Sequence, residues 1–125
     1  MRADAKQLAG APADLAPLLG TWSNTNPQTD YIIKIIATER NGALLIRAYG
    51  SSSPEPADWG EVEANAYVAG GTTKAAGFHA RYDFGALQTE LAANEKLGIL
   101  VVQSYTSFDD GSGRLGNFAR EFFHR

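Results

Sequence analysis

Tyr49, Tyr82, Tyr105, Gln103 and Arg120 are the side chains of this sequence with most to offer a small molecule. Their hydroxyl, amide and guanidinium groups can bond a polar ligand group or polarise a carbonyl with neither metal nor thiol. With Phe78, Phe84 and Trp59 they describe a mainly apolar or aromatic pocket with a few orienting groups, to which Asn24 adds an amide. Other chemistry is poorly served. His79 and His124 could act as acid and base or ligate haem, but neither has a metal partner nearby in sequence, and both are expected to face solvent. Asp109-Asp110-Gly111-Ser112-Gly113-Arg114 lacks the alternating oxygen ligands and closing glutamate of a calcium loop and reads as a hairpin turn. No Gly-x-Ser-x-Gly elbow marks a nucleophile, so a hydrolase is not expected. Neither a metal nor a cofactor is expected.

Strands are the elements that must carry these groups. From Trp22 onward the apolar pattern has a period of two and turn signals recur about every ten residues, the mark of an all-β sandwich or barrel. Segments 19–24, 30–37, 43–49, 61–68, 75–84, 87–93, 98–108 and 117–125 read as strands. The links between them hold turn residues such as Asn41-Gly42 and Gly70-Gly71, which tolerate positive φ. Short links pair sequence neighbours, and eight such strands close into an antiparallel up-and-down barrel wide enough for one small ligand. The expected fold is therefore all-β, one domain over residues 1–125, with an N-terminal segment (1–18) ahead of the barrel (19–125). Leu15, Leu18 and Leu19 fall at helical spacing after Pro12, which predicts a short lid helix in that segment.

The faces of the strands carry the next step. In the fifth, Ala76, Phe78, Ala80, Tyr82 and Phe84 share one side and Gly77, His79, Arg81 and Asp83 the other. Strands two, seven and eight are apolar on both sides, through Ile32, Ile33, Ile35 and Ile36, Ile99 to Val102, and Phe122 with Phe123. Something must cover their outer faces, and self-association into a dimer or tetramer is expected to do so, with the N-terminal helix as the alternative. Asp58-Trp59-Gly60 follows the loop at 51–56 and sets an aromatic beside the barrel mouth, either as a lid over a ligand or as an anchor packed on the rim. Register decides whether Gln103 and Tyr105 face the lumen, since a slip of one residue turns every side chain to the opposite face.

Composition removes several classes. Eleven basic against fourteen acidic residues, with no Lys/Arg-dense segment, argue against nucleic acid. Cysteine is absent, which excludes disulfides and thiol catalysis. No apolar run reaches the roughly 18 residues of a membrane span, and the first twenty residues, broken by Pro12 and Pro17, lack the basic start and apolar core of a signal peptide. A soluble cytoplasmic protein without a membrane partner is expected.

Gly20-Thr21-Trp22 followed by an eight-strand meander resembles the calycin superfamily of lipocalin, fatty-acid-binding and avidin barrels. The resemblance implies that Trp22 plugs one barrel end beneath a basic residue of the last strand, here Arg120 with Arg125 behind it, in a cation–π contact of about 0.5 to 2 kcal/mol. Gly-Thr-Trp-x-Asn, Asn41-Gly42-Ala43-Leu44 leading to Tyr49 and Ser51, and Ala76-Gly77-Phe78 with Tyr82 four residues on are similar to avidin and streptavidin. That likeness implies Asn24 and Tyr49 at the head of a ligand, Tyr82 as a wall and Glu121 in place of a late aspartate. Phe78 and Tyr82 stand where that family carries tryptophans, so what the resemblance implies is the fold and not biotin. Three functions follow as expectations. The first is a small-molecule-binding barrel, with Asn24, Tyr49, Trp59, Phe78, Tyr82, Phe84, Gln103, Tyr105 and Arg120 about the ligand. The second is a metal-free cyclase or isomerase using the same cavity, for example in natural-product biosynthesis. The third is a filled barrel acting through its outer surface as an oligomerisation or partner-binding module.

Overall fold

The period-two pattern becomes eight antiparallel strands in the computed structural model, which describes residues 12–125. They are β1 (Gly20–Asn24), β2 (Ile32–Arg40), β3 (Ala43–Gly50), β4 (Ala57–Val68), β5 (Ala75–Asp83), β6 (Leu87–Lys96), β7 (Ile99–Phe108) and β8 (Asn117–His124). Each strand pairs with the next, and β8 returns to β1, so the sheet closes into an up-and-down barrel without a crossover. Among the described residues no helix is long and apolar enough to cross a membrane.

One barrel end is shut. Trp22 is wholly buried there and its indole Nε1–H donates to the Leu18 carbonyl at 2.9 Å. Leu18, Leu44, Leu100 and Phe123 pack around it at 2 % exposure or less, filling that half of the lumen. The basic lid over this plug is Arg125, not Arg120. Its guanidinium lies 4.4 Å from the centre of the Trp22 ring and donates to the Leu19 carbonyl at 2.8 Å. Arg120 cannot reach, because it belongs to the outward set of β8, where it pairs with Gln103 and lies over the Phe122 ring.

The expected lid helix is a single 3-10 turn, Ala16–Leu18. Pro17 at its start removes a donor, and the backbone of Asp14 is already engaged, its N–H with Thr73 and its carbonyl with Ala75, so no α-helical ladder can run through the segment. The turn presses Leu15 and Leu18 under the barrel and completes the plug. Residues 1–11 of the N-terminal segment lie outside the described residues.

On two strands the inward side chains shrink from plug to far end. On β3 the inward residues run Leu44, Ile46, Ala48 and Gly50, and on β7 they run Leu100, Val102, Ser104 and Thr106. On these two strands large aliphatic groups close one half, and small or hydroxyl-bearing groups make room in the other. On the outside, Ile99, Tyr105, Phe118 and Phe122 stand exposed on β7 and β8, so the outer apolar face expected there is present.

Candidate ligand-binding site

The open end holds a cavity of about 690 Å³ lined by Asp30, Tyr31, Asp58, Trp59, Phe84, Leu87, Thr89, Thr106, Phe108 and Asn117. A β-bulge builds its main wall. Strand β4 slips register against β3 between Arg47 and Tyr49, and Gly60 takes φ +89°, a backbone region that suits glycine. The slip turns Trp59 inward from the outer position that plain alternation from Val62 would give it. The indole then lies against Gly50, where a Cβ would stand only 2.7 Å from Nε1, so only a glycine leaves room. Three rings surround it, with centroids 6.1 Å (Tyr31), 5.5 Å (Tyr82) and 5.7 Å (Phe84) away.

Tyr82 secures the bulge. Its hydroxyl accepts from the Ala48 N–H at 3.0 Å and donates to the Gly60 carbonyl at 2.8 Å, with the Ile46 carbonyl at 3.2 Å. Burial pushes the phenol up to about 12, so it stays a neutral donor. Beyond the aromatic wall lies a chain of hydroxyls: Tyr31 meets Thr106 Oγ1 at 2.5 Å, and Thr106 meets Thr89 at 3.0 Å. Two bonds among three hydroxyls leave one O–H over, with lone pairs, for a polar ligand group. At the rim Asp58 accepts both oxygens' worth of contact from Arg47 Nε, at 3.0 and 3.2 Å, and the Gly60 N–H at 2.8 Å. The Arg47 bond, and after it the Gly60 N–H, holds the Asp58 carboxyl below its ordinary range.

The residues expected at the ligand separate into three groups. Trp59 and Phe84 line the mouth, with Tyr82 packed directly behind them. Asn24 and Phe78 are buried in the interior but away from the cavity. Asn24 is taken up by the backbone, donating to Ile32 at 2.8 Å and accepting from the Asn26 N–H at 2.8 Å, and Phe78 packs in the core. Tyr49, Gln103, Tyr105 and Arg120 lie on the outer surface. Tyr49 sits under Lys34, 4.4 Å from its Nζ, and Tyr105 donates to Gln103 at 2.8 Å. The cause is register: Ser104 and Thr106 are the inward residues of β7, so Gln103 and Tyr105 take the other face. Trp59 is part of β4 and a wall of the mouth, not a lid carried on the loop. A second recess, of about 500 Å³, runs between Arg81, Glu90, Tyr105 and Phe118 and shares Thr106 and Asn117 with the mouth.

Tyr31, Phe108, Thr89, Thr106 and Asn117 were not legible as site residues. A signal for two of them exists: Asp30-Tyr31, Asp58-Trp59, Asp83-Phe84 and Phe108-Asp109 are four aspartate–aromatic pairs. Each falls at the open-end terminus of a strand or next to it, and in each the aromatic member lines the cavity. No protein-family model matches the chain, and neither a curated protein nor a solved structure does.

Proposed function

We propose that this protein is a calycin-like binding barrel whose open end takes up a mainly apolar or aromatic small molecule. The observation that carries this reading is the contrast between the two ends. One half of the lumen is packed shut around Trp22, and the other is a cavity of about 690 Å³ walled by Tyr31, Trp59, Phe84 and Phe108. That volume lies within the roughly 300 to 1,000 Å³ of ordinary small-molecule sites, and the Thr89–Thr106–Tyr31 chain supplies the few polar groups that fix orientation. A cavity of this kind speaks against a wholly filled barrel. The cyclase or isomerase reading gains less support, since Tyr49, Gln103, Tyr105 and Arg120 face outward and the Tyr82 hydroxyl is bonded to backbone.

The test is native mass spectrometry of freshly purified protein against its denatured mass, paired with titration of the neutral apolar dye Nile red. A retained small molecule, or saturable dye binding that weakens severalfold in Gly50→Ala, supports the mouth as the site, because the added methyl displaces the Trp59 indole. An empty native mass together with no dye binding removes the reading.

A further inference from the structure

Among the described residues, charge is divided between the two ends of the barrel. The segments that form the mouth, residues 25–31, 47–60, 82–89 and 106–117, hold the four aspartates of the aspartate–aromatic pairs together with Glu55 and Asp110. Arg47 and Arg114 are the basic residues of these segments, and both are engaged, Arg47 with Asp58 and Arg114 with Asp110. Asp30 lines the cavity and makes no ion pair among the described residues. The closed end differs: among the described residues Arg40, Lys74, Lys96 and Arg125 there outnumber Asp14, Glu39 and Glu95. The cavity thus combines aromatic faces with carboxylates at its rim, and no basic residue is among those lining it. Aromatic rings present a negative face, and an acidic rim adds to the same field. The mouth itself shows the pairing, for the Arg114 guanidinium lies 4.0 Å over the Phe108 ring.

We propose that the ligand of this mouth is an organic cation, an amine or quaternary ammonium carried on an apolar body. The inference rests on the reading of the mouth as a binding site and adds the charge of what binds. The apolar body lies against Trp59 and Phe84, the cationic centre sits toward Asp30, and the spare hydroxyl of the Thr89–Thr106–Tyr31 chain meets any further polar group. Charge separation along the barrel steers such a cation toward the open end and an anion away from it.

Three probes of one shape separate the outcomes: phenyltrimethylammonium, its neutral isostere tert-butylbenzene, and the anion benzenesulfonate, each titrated against the intact protein with tryptophan fluorescence and calorimetry as readouts. The expected result is that the cation binds at least about fivefold more tightly than the neutral isostere. Its affinity falls as salt is raised, whereas that of the isostere does not. In Asp30→Asn the cation weakens by about two- to fivefold, the range of an exposed charge contact, and the neutral probe is unchanged. Equal binding of cation and isostere, or tighter binding of the anion, overturns the cation inference and leaves the binding site standing. If none of the three binds and Nile red does not bind either, the binding reading fails with it.

Discussion

Tyr82 shows how one side chain can shape a cavity without lining it. Its hydroxyl bridges Ala48 on β3 and Gly60 on β4, so it holds the bulge that aims Trp59 inward. Tyr82→Phe keeps the ring stack on Phe84 but leaves the Ala48 N–H and Gly60 carbonyl without that partner, a loss of about 1 to 3 kcal/mol. The pH dependence identifies the cause. The folded state holds the Tyr82 proton more tightly than the unfolded chain, where tyrosine ionises near 10, and burial carries it to about 12. The stabilisation is therefore complete below pH 10 and is lost as pH rises through 12, an effect of about 2 to 3 kcal/mol. Denaturant unfolding of wild type and Tyr82→Phe at pH 8, 10 and 12 measures it: the gap between the two proteins is expected to shrink over that range, and a constant gap would show that the phenol does not titrate with folding. Sequence alternation put Tyr82 on the inward face correctly. It could not reveal that the hydroxyl is bonded to backbone, because both partners lie across a register shift more than twenty residues away in the chain.

At the scale of strands, regular alternation was legible and its interruptions were not. Inward Phe78, Ala80 and Tyr82 follow directly from the period of two in β5. Strand β4 starts at Ala57, four residues before the expected 61, since Gly60 reads as a turn residue until its bulge is seen. Gln103 and Tyr105 went to the wrong face because β7 is apolar on both sides, which removes the contrast that fixes register. Those same two-sided strands carry a prediction. Val101 stands across from Phe122 and Tyr105 across from Phe118, two outer apolar pairs with the Gln103–Arg120 pair between them, in which Phe118 is 57 % and Phe122 44 % exposed. A second copy of this chain is the expected cover for that face, as the sequence reading held. Sedimentation velocity across a hundredfold range of concentration should give a dimer or tetramer, and Phe118→Lys should shift it to monomer with the barrel intact. A wild type that stays monomeric throughout would remove self-association from the account.

Taken whole, the barrel assigns its two tryptophans opposite duties, and that division can be tested. Trp22 sits at 0 % exposure in the packed half, tied to Leu18 through Nε1 and covered by Arg125. Trp59 is half-buried at the mouth, held by Gly50 and the Tyr82–Phe84 stack. Small side chains, Ala48 and Ser104, line the lumen on β3 and β7 between the two tryptophans. Trp22→Phe should therefore lower unfolding stability by at least about 2 kcal/mol, through a lost indole bond and a cavity, while dye affinity at the mouth changes little. Trp59→Ala should do the reverse, costing about 1 to 2 kcal/mol of stability and reducing binding by tenfold or more, because it removes the largest wall of the cavity. Denaturation midpoints and Nile red titrations on the two variants give both quantities. Equal loss of binding in Trp22→Phe and Trp59→Ala would mean that plug and mouth are one cooperative unit, and the small side chains of β3 and β7 would then not isolate the site from the core.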